Sequence, residues 1–136
     1  MRRATVTMMA VMAAFCTSQL QAQAVHPSIP CPVLLVSGHA TRDSIELSFM
    51  NKGKMPIQQV RLGCSPPMAG NARDSICHTE SGLFYPGQRY AMTFGYTGAM
   101  RRTVTLTVQG ARLGDGELWT PRNARVCRPL TVPRRK

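Results

Sequence analysis

The sequence predicts an all-β fold, an antiparallel immunoglobulin-like β-sandwich of about seven strands behind a cleaved N-terminal signal peptide. Three observations carry this reading. Apolar residues alternate with period two in four separate segments, turn-forming residues recur between those segments, and 136 residues leave room for one domain with one core. An up-and-down barrel is the main alternative for strands of this kind.

Residues 1–24 form the targeting segment. Arg2 and Arg3 precede an apolar run over 6–15, and Ala22-Gln23-Ala24 supplies an A-x-A cleavage site. The run is shorter than the roughly 20 residues that a membrane-spanning helix needs, and no second candidate follows it. Cys16 is not expected to carry a lipid, because the bulky Phe15 stands where a small residue is required. The mature product is therefore expected to begin at Val25, with 25–136 a single sandwich domain ending in a basic tail.

The first strand is expected over 33–39. In 43–51, Ile45, Leu47 and Phe49 alternate with Ser44, Glu46 and Ser48, which places the apolar side chains on one face. Val60, Leu62 and Cys64 repeat the pattern. Tyr90, Met92, Phe94 and Tyr96 continue it, followed by Val104, Leu106 and Val108 between Thr103, Thr105 and Thr107. A short strand is expected over 117–120. Asn51-Lys52-Gly53-Lys54 and Tyr96-Thr97-Gly98-Ala99 read as turns, Pro86-Gly87 as another, and Gly114-Asp115-Gly116 as a tight hairpin. Residues 65–82 show no apolar period and read as one long connection, a length at which loops tend to be functional or pinned.

Cleavage would remove Cys16 and leave Cys31, Cys64, Cys77 and Cys127. An even number in a small exported chain implies two disulfides, and the lack of a C-x-x-C pair argues against a metal site. A Cys64–Cys77 bridge would pin the long connection, leaving Cys31 and Cys127 to clip the ends of the domain. Chain-entropy arguments give about 3 kcal/mol for the short loop and nearer 4.7 for the long one.

Three motifs, Asn51-Lys52-Gly53-Lys54-Met55-Pro56-Ile57, Leu83-Phe84-Tyr85-Pro86-Gly87 and Gly114-Asp115-Gly116-Glu117-Leu118-Trp119, resemble those of small secreted bacterial domains of unknown function with immunoglobulin/fibronectin-III-like folds. In that set an N-x-G/S-x-x-P-I hairpin, an L-x-P-G turn and a D-G-x-x-W hairpin recur. The resemblance spans roughly residues 33–128 and implies the fold and export. It carries no catalytic residues.

Catalytic chemistry finds little in the chain. There is no G-x-S-x-G, and His26, His39 and His78 lack an evident Ser and Asp constellation. His78-Thr79-Glu80 matches the H-x-E of zinc deaminases but lacks the downstream P-C-x-x-C. His39 and Met50 have a spacing used by exported copper chaperones, yet Ala72 stands where a further histidine would be needed. Periplasmic copper or other metal handling is thus the alternative reading, and no cofactor is expected.

Charge is the functional lead with physical reach. Lys and Arg total 17 against 6 acids, for a formal charge of +11. The cations Arg101, Arg102, Arg122, Arg125, Arg128, Arg134, Arg135 and Lys136 gather in the last third, and they are the candidate anion-binding residues. The tail after Pro133 is expected to stay unpacked. Nucleic acid is not expected as a partner, because the aromatic residues belong to the core and do not interleave with the cations. The reading is an exported, periplasmic or extracellular, non-enzymatic binding or structural module of the cell envelope. Its expected partner is an anionic envelope polymer or lipid surface, or a protein docked on an edge strand.

Overall fold

The computed structural model describes residues 30–66, 76–97, 103–123 and 125–134; the signal segment lies outside them. The described residues form eight strands and no helix: β1 (Val33–Ala40), β2 (Ser44–Asn51), β3 (Ile57–Ser65), β4 (Ile76–Phe84), β5 (Arg89–Gly95), β6 (Thr103–Leu113), β7 (Leu118–Trp119) and β8 (Leu130–Pro133). They make two sheets, one ordered β1-β2-β5 and the other β4-β3-β6-β7, with β8 also paired to β6. Every ladder is antiparallel. The division differs from that of a constant-type immunoglobulin domain, because the fourth strand sits beside the third and not on the first sheet.

Alternation positions the core. Ile45, Leu47 and Phe49 of β2 face Val60 and Leu62 of β3 and Val104 and Leu106 of β6, all at most 2% exposed. Phe94 and Trp119 are buried as well. Phe49, Phe84 and Tyr90 form an aromatic trio with ring centroids 5.0 to 5.7 Å apart, which fastens the β4–β5 turn onto β2. That turn has Pro86 at its second position and Gly87 at its third with φ +76°; the Gln88 amide donates to the Tyr85 carbonyl at 3.3 Å, as a type II turn requires. Gly116 plays a different part in the β6–β7 hairpin: it is the fourth residue of the turn, its amide donating to the Leu113 carbonyl at 2.9 Å, and at φ +88° it takes the left-handed position that leads into β7.

Three expectations change. The segment over 65–82 is not a continuous loop, because β4 begins at Ile76. As an edge strand it is wetted on both faces and buries only Phe84, so it leaves no apolar period to read. β8 is also unforeseen, since its four residues bury only Val132. β6 runs on to Leu113: a bulge between Val108 and Gly110 flips the buried parity, so that Ala111 and Leu113 continue the core out of phase.

The connection after β2 is a crossing between sheets, not a hairpin, and Asn51 makes it. Its side chain is fully buried, and it is the single buried polar residue among those described. Nδ2 donates to the Met55 carbonyl at 2.8 Å and the Phe84 carbonyl at 2.9 Å, while Oδ1 accepts from the Gly53 amide at 2.8 Å. Its main-chain carbonyl accepts from the Gly87 amide. One side chain thus ties the end of β2, the crossing and the end of β4.

Candidate functional site: the cationic excursion between β7 and β8

The last strand of the second sheet is interrupted. β7 pairs with Ala111 and Arg112 of β6, β8 pairs with residues 103–106, and the chain leaves the sheet between them. The excursion is pinned. Cys127 is buried and bonded to Cys31 with Cα atoms 5.3 Å apart, across a sequence separation of 96. Asn123 shapes it locally, its Oδ1 accepting from the Arg125 amide at 2.9 Å and its carbonyl from the Val126 amide at 3.3 Å.

Arg122, Arg125 and Arg128 are all exposed on this excursion. A recess of about 230 Å³ opens beside them, lined by Thr107, Val108, Gln109, Pro121, Asn123 and Cys127. Of the other cations singled out by charge, Arg101, Arg102, Arg135 and Lys136 lie outside the described residues. Arg134 does not behave as tail. It is half-buried, with Nη2 donating to the Arg42 carbonyl at 2.9 Å and Nε to the Thr41 carbonyl at 3.3 Å, beside a parallel bridge from Ala40. Its guanidinium is engaged in closing β8 onto the β1–β2 corner.

The second cysteine pair, Cys64–Cys77, joins β3 to β4 with Cα atoms 5.7 Å apart. Next to it, His78 stacks on Phe94 with ring centroids 4.3 Å apart and 4° between planes, and its Nε2 lies 2.6 Å from Glu80 Oε2. Their partners across β3, Leu62 and Val60, are core residues, so both side chains turn inward at the open edge between β4 and β5. The H-x-E motif therefore seals a seam.

His39 pairs with Glu46 at 3.1 Å on the outer face of the first sheet. Met50 stands opposite Leu34, four positions further along β2, roughly 13 Å away at the rise of a strand. His39 and Met50 cannot share one ion there. Among the described residues no group of three or more His, Cys, Asp or Glu side chains gathers at metal-binding distance.

The class these features define is an antiparallel β-sandwich domain with two disulfide-bonded cysteine pairs, which fit a non-cytoplasmic, oxidising location. No protein-family model matches the sequence, and no curated protein matches it. Among solved structures, the chain is similar to the CARDB domain of the PF1109 protein from Pyrococcus furiosus, crystallised in complex with di-metal ions. That match has a TM-score of 0.41 and 14% identity and covers 80% of this chain and 96% of that one. The X-ray structure of the Northeast Structural Genomics Consortium target SoR45 is similar at a TM-score of 0.37 and 13% identity, over 74% and 81% of the two chains.

Proposed function

We propose that the protein is an exported, non-enzymatic module of the cell envelope that binds an anionic surface. One observation carries this reading: Arg122, Arg125 and Arg128 are displayed together on an excursion that Cys127 holds against the body of the domain. Three guanidinium groups on a tethered segment, in a 25–136 product that keeps 15 of the 17 Lys and Arg against all 6 acids, form a field that attracts polyanions and speeds encounter. The reading is tested by co-sedimentation of the disulfide-intact 25–136 protein with phosphatidylglycerol-containing vesicles. Binding is expected to fall steeply as salt shortens the Debye length from about 10 Å at 0.1 M to about 3 Å at 1 M. It is also expected to weaken severalfold in an R122S/R125S/R128S variant of unchanged stability. A triple variant that binds as tightly as the parent at low salt would overturn the reading.

A second reading, docking of a protein strand, is favoured by the free side of β4. This nine-residue edge strand contains no Lys or Pro, and Ile76, Leu83 and the adjacent Tyr85 are exposed; bulges flank its regular stretch over residues 78–81, so a partner strand would pair there. Thr79→Lys together with Leu83→Lys should abolish such pairing while leaving vesicle binding intact.

A further inference from the structure

We infer that the end of the sandwich formed by the β2–β3 crossing and the β4–β5 turn is a docking tip for an anionic phospholipid bilayer, with Met55 and Tyr85 entering the lipid interface and Lys52, Lys54 and Arg89 meeting the headgroups. This rests on the surface-binding reading above, names the surface and gives it a second address. The tip follows from register. Val33 pairs with Asn51, Met50 with Arg89, Ile57 with both Phe84 and Leu113, and Arg112 with Leu118. The connections over 52–56, 85–88 and 114–117 therefore all leave the sandwich at one end. Asn51 holds the first two together, since its Nδ2 bonds the Met55 and Phe84 carbonyls and its own carbonyl accepts from the Gly87 amide at 2.8 Å. They are presented as one preformed surface, and docking need not order them first.

Exposure and charge decide what that surface fits. Among the described residues, the two exposed large apolar side chains that lie outside strands are Met55 at 37% and Tyr85 at 47%, one on each of these two connections, and Pro86 is exposed beside Tyr85. Around them Lys52, Lys54 and Arg89 are exposed, and neither connection contains an acid. The third connection is the opposite: Asp115 and Glu117 are exposed there, and Arg112 donates to the Gly116 carbonyl at 3.3 Å. An anionic surface is therefore met with the first two connections, the acidic hairpin tilted away. On the favoured side the tip adjoins the arginine excursion. The Lys52 amide donates to the Pro32 carbonyl at 2.7 Å, and the preceding Cys31 is bonded to Cys127, which stands between Arg125 and Arg128 in sequence. Apolar side chains interleaved with lysines suit a bilayer better than an anionic polymer. A polymer's charged groups leave Met55 and Tyr85 in water, whereas a bilayer interface takes a tyrosine ring at headgroup level and lets a lysine stem lie along apolar surface with its ammonium in water. Affinity there grows with buried apolar area plus attraction to anionic lipid.

The test is fluorescence of the disulfide-intact 25–136 protein carrying Tyr85→Trp, mixed with phosphatidylglycerol vesicles whose acyl chains are brominated near the headgroup. The parent, whose Trp119 is buried, supplies the background. A blue shift and bromine quenching confined to the variant are expected. In co-sedimentation at about 0.15 M ionic strength, M55S/Y85S should weaken vesicle binding about tenfold at an unchanged urea midpoint, and K52S/K54S about fivefold per lysine. Vesicle binding with no quenching of the introduced indole, or equal affinity in M55S/Y85S and the parent, overturns the tip and leaves the arginine reading standing. Binding that falls in M55S/Y85S yet is unchanged in R122S/R125S/R128S upholds the tip and overturns the arginine reading. A parent that binds dextran sulfate but no phosphatidylglycerol vesicle overturns the tip in favour of a polymer, and one that binds neither removes both. A lipid-free parent that self-associates, with M55S/Y85S monomeric, would mark the patch as a protein contact and overturn the tip as well.

Discussion

Replacing Asn51 should expose how much of this fold hangs on one polar side chain. In Asn51→Ala the Phe84 carbonyl, at a buried bond, loses its 2.9 Å donor, which costs about 1–3 kcal/mol for an unsatisfied buried group. The Met55 carbonyl and the Gly53 amide lose partners at partly buried bonds of 2.8 Å each, where water recovers part of the loss and about 0.5–1 kcal/mol apiece is reasonable. The expected total is about 2–5 kcal/mol, read as a lower urea midpoint at unchanged m-value with disulfides intact. Asn51→Asp sharpens the test. A carboxylate would present oxygen to two carbonyls in a buried site, so its folded-state pKa is raised above the ordinary value near 3.9. The folded state then binds the extra proton, and stability is lost as pH rises from about 4 through that raised value. At neutral pH the aspartate variant should be less stable than the alanine one, and near pH 3 the gap should close, because the protonated acid can donate to one carbonyl. An alanine variant within about 0.5 kcal/mol of the parent, or an aspartate variant with no such pH dependence, would refute the argument.

Further expectations follow from the same geometry. Truncating Phe49 or Phe94, both buried, to Ala should cost about 3–5 kcal/mol, while Thr93→Ala on the exposed face should stay within about 0.5 kcal/mol; thermal and urea unfolding would show the reverse pattern if the register slipped by one residue. Removing Cys31–Cys127, with its separation of 96, should destabilise more than removing Cys64–Cys77, with its separation of 13, because the constrained loop is longer; equal losses in urea titrations of the two double-Ala variants would contradict this. Arg134→Ser should cost about 1–2 kcal/mol through the lost bonds to the Thr41 and Arg42 carbonyls, and unaltered thermal stability would show the residue to be tail after all. Intact mass of the exported protein should start at Val25 with no free thiol, and a retained Met1 would contradict the signal peptide.

Local pattern was enough to say which side chains face inward. Period two in β2, β3, β5 and the first half of β6 assigned Phe49, Leu62, Phe94 and Leu106 to the core, and turn chemistry located the Gly87 and Gly116 turns, since both depend only on neighbours in the chain. Sheet membership is a different matter. Nothing local distinguishes a hairpin after β2 from a crossing, and the residue that decides it, Asn51, bonds to a carbonyl 33 positions away. Arg134 looked like tail because its acceptors are 93 and 92 positions away. β4 escaped notice because a strand wetted on both faces needs no apolar alternation. The candidate site divides along the same line. Its arginines were legible as an excess of charge in the last third of the chain, but the recess they flank exists only because two short strands dock on one edge of β6 with a gap between them, and a gap between partners distant in sequence is decided by packing.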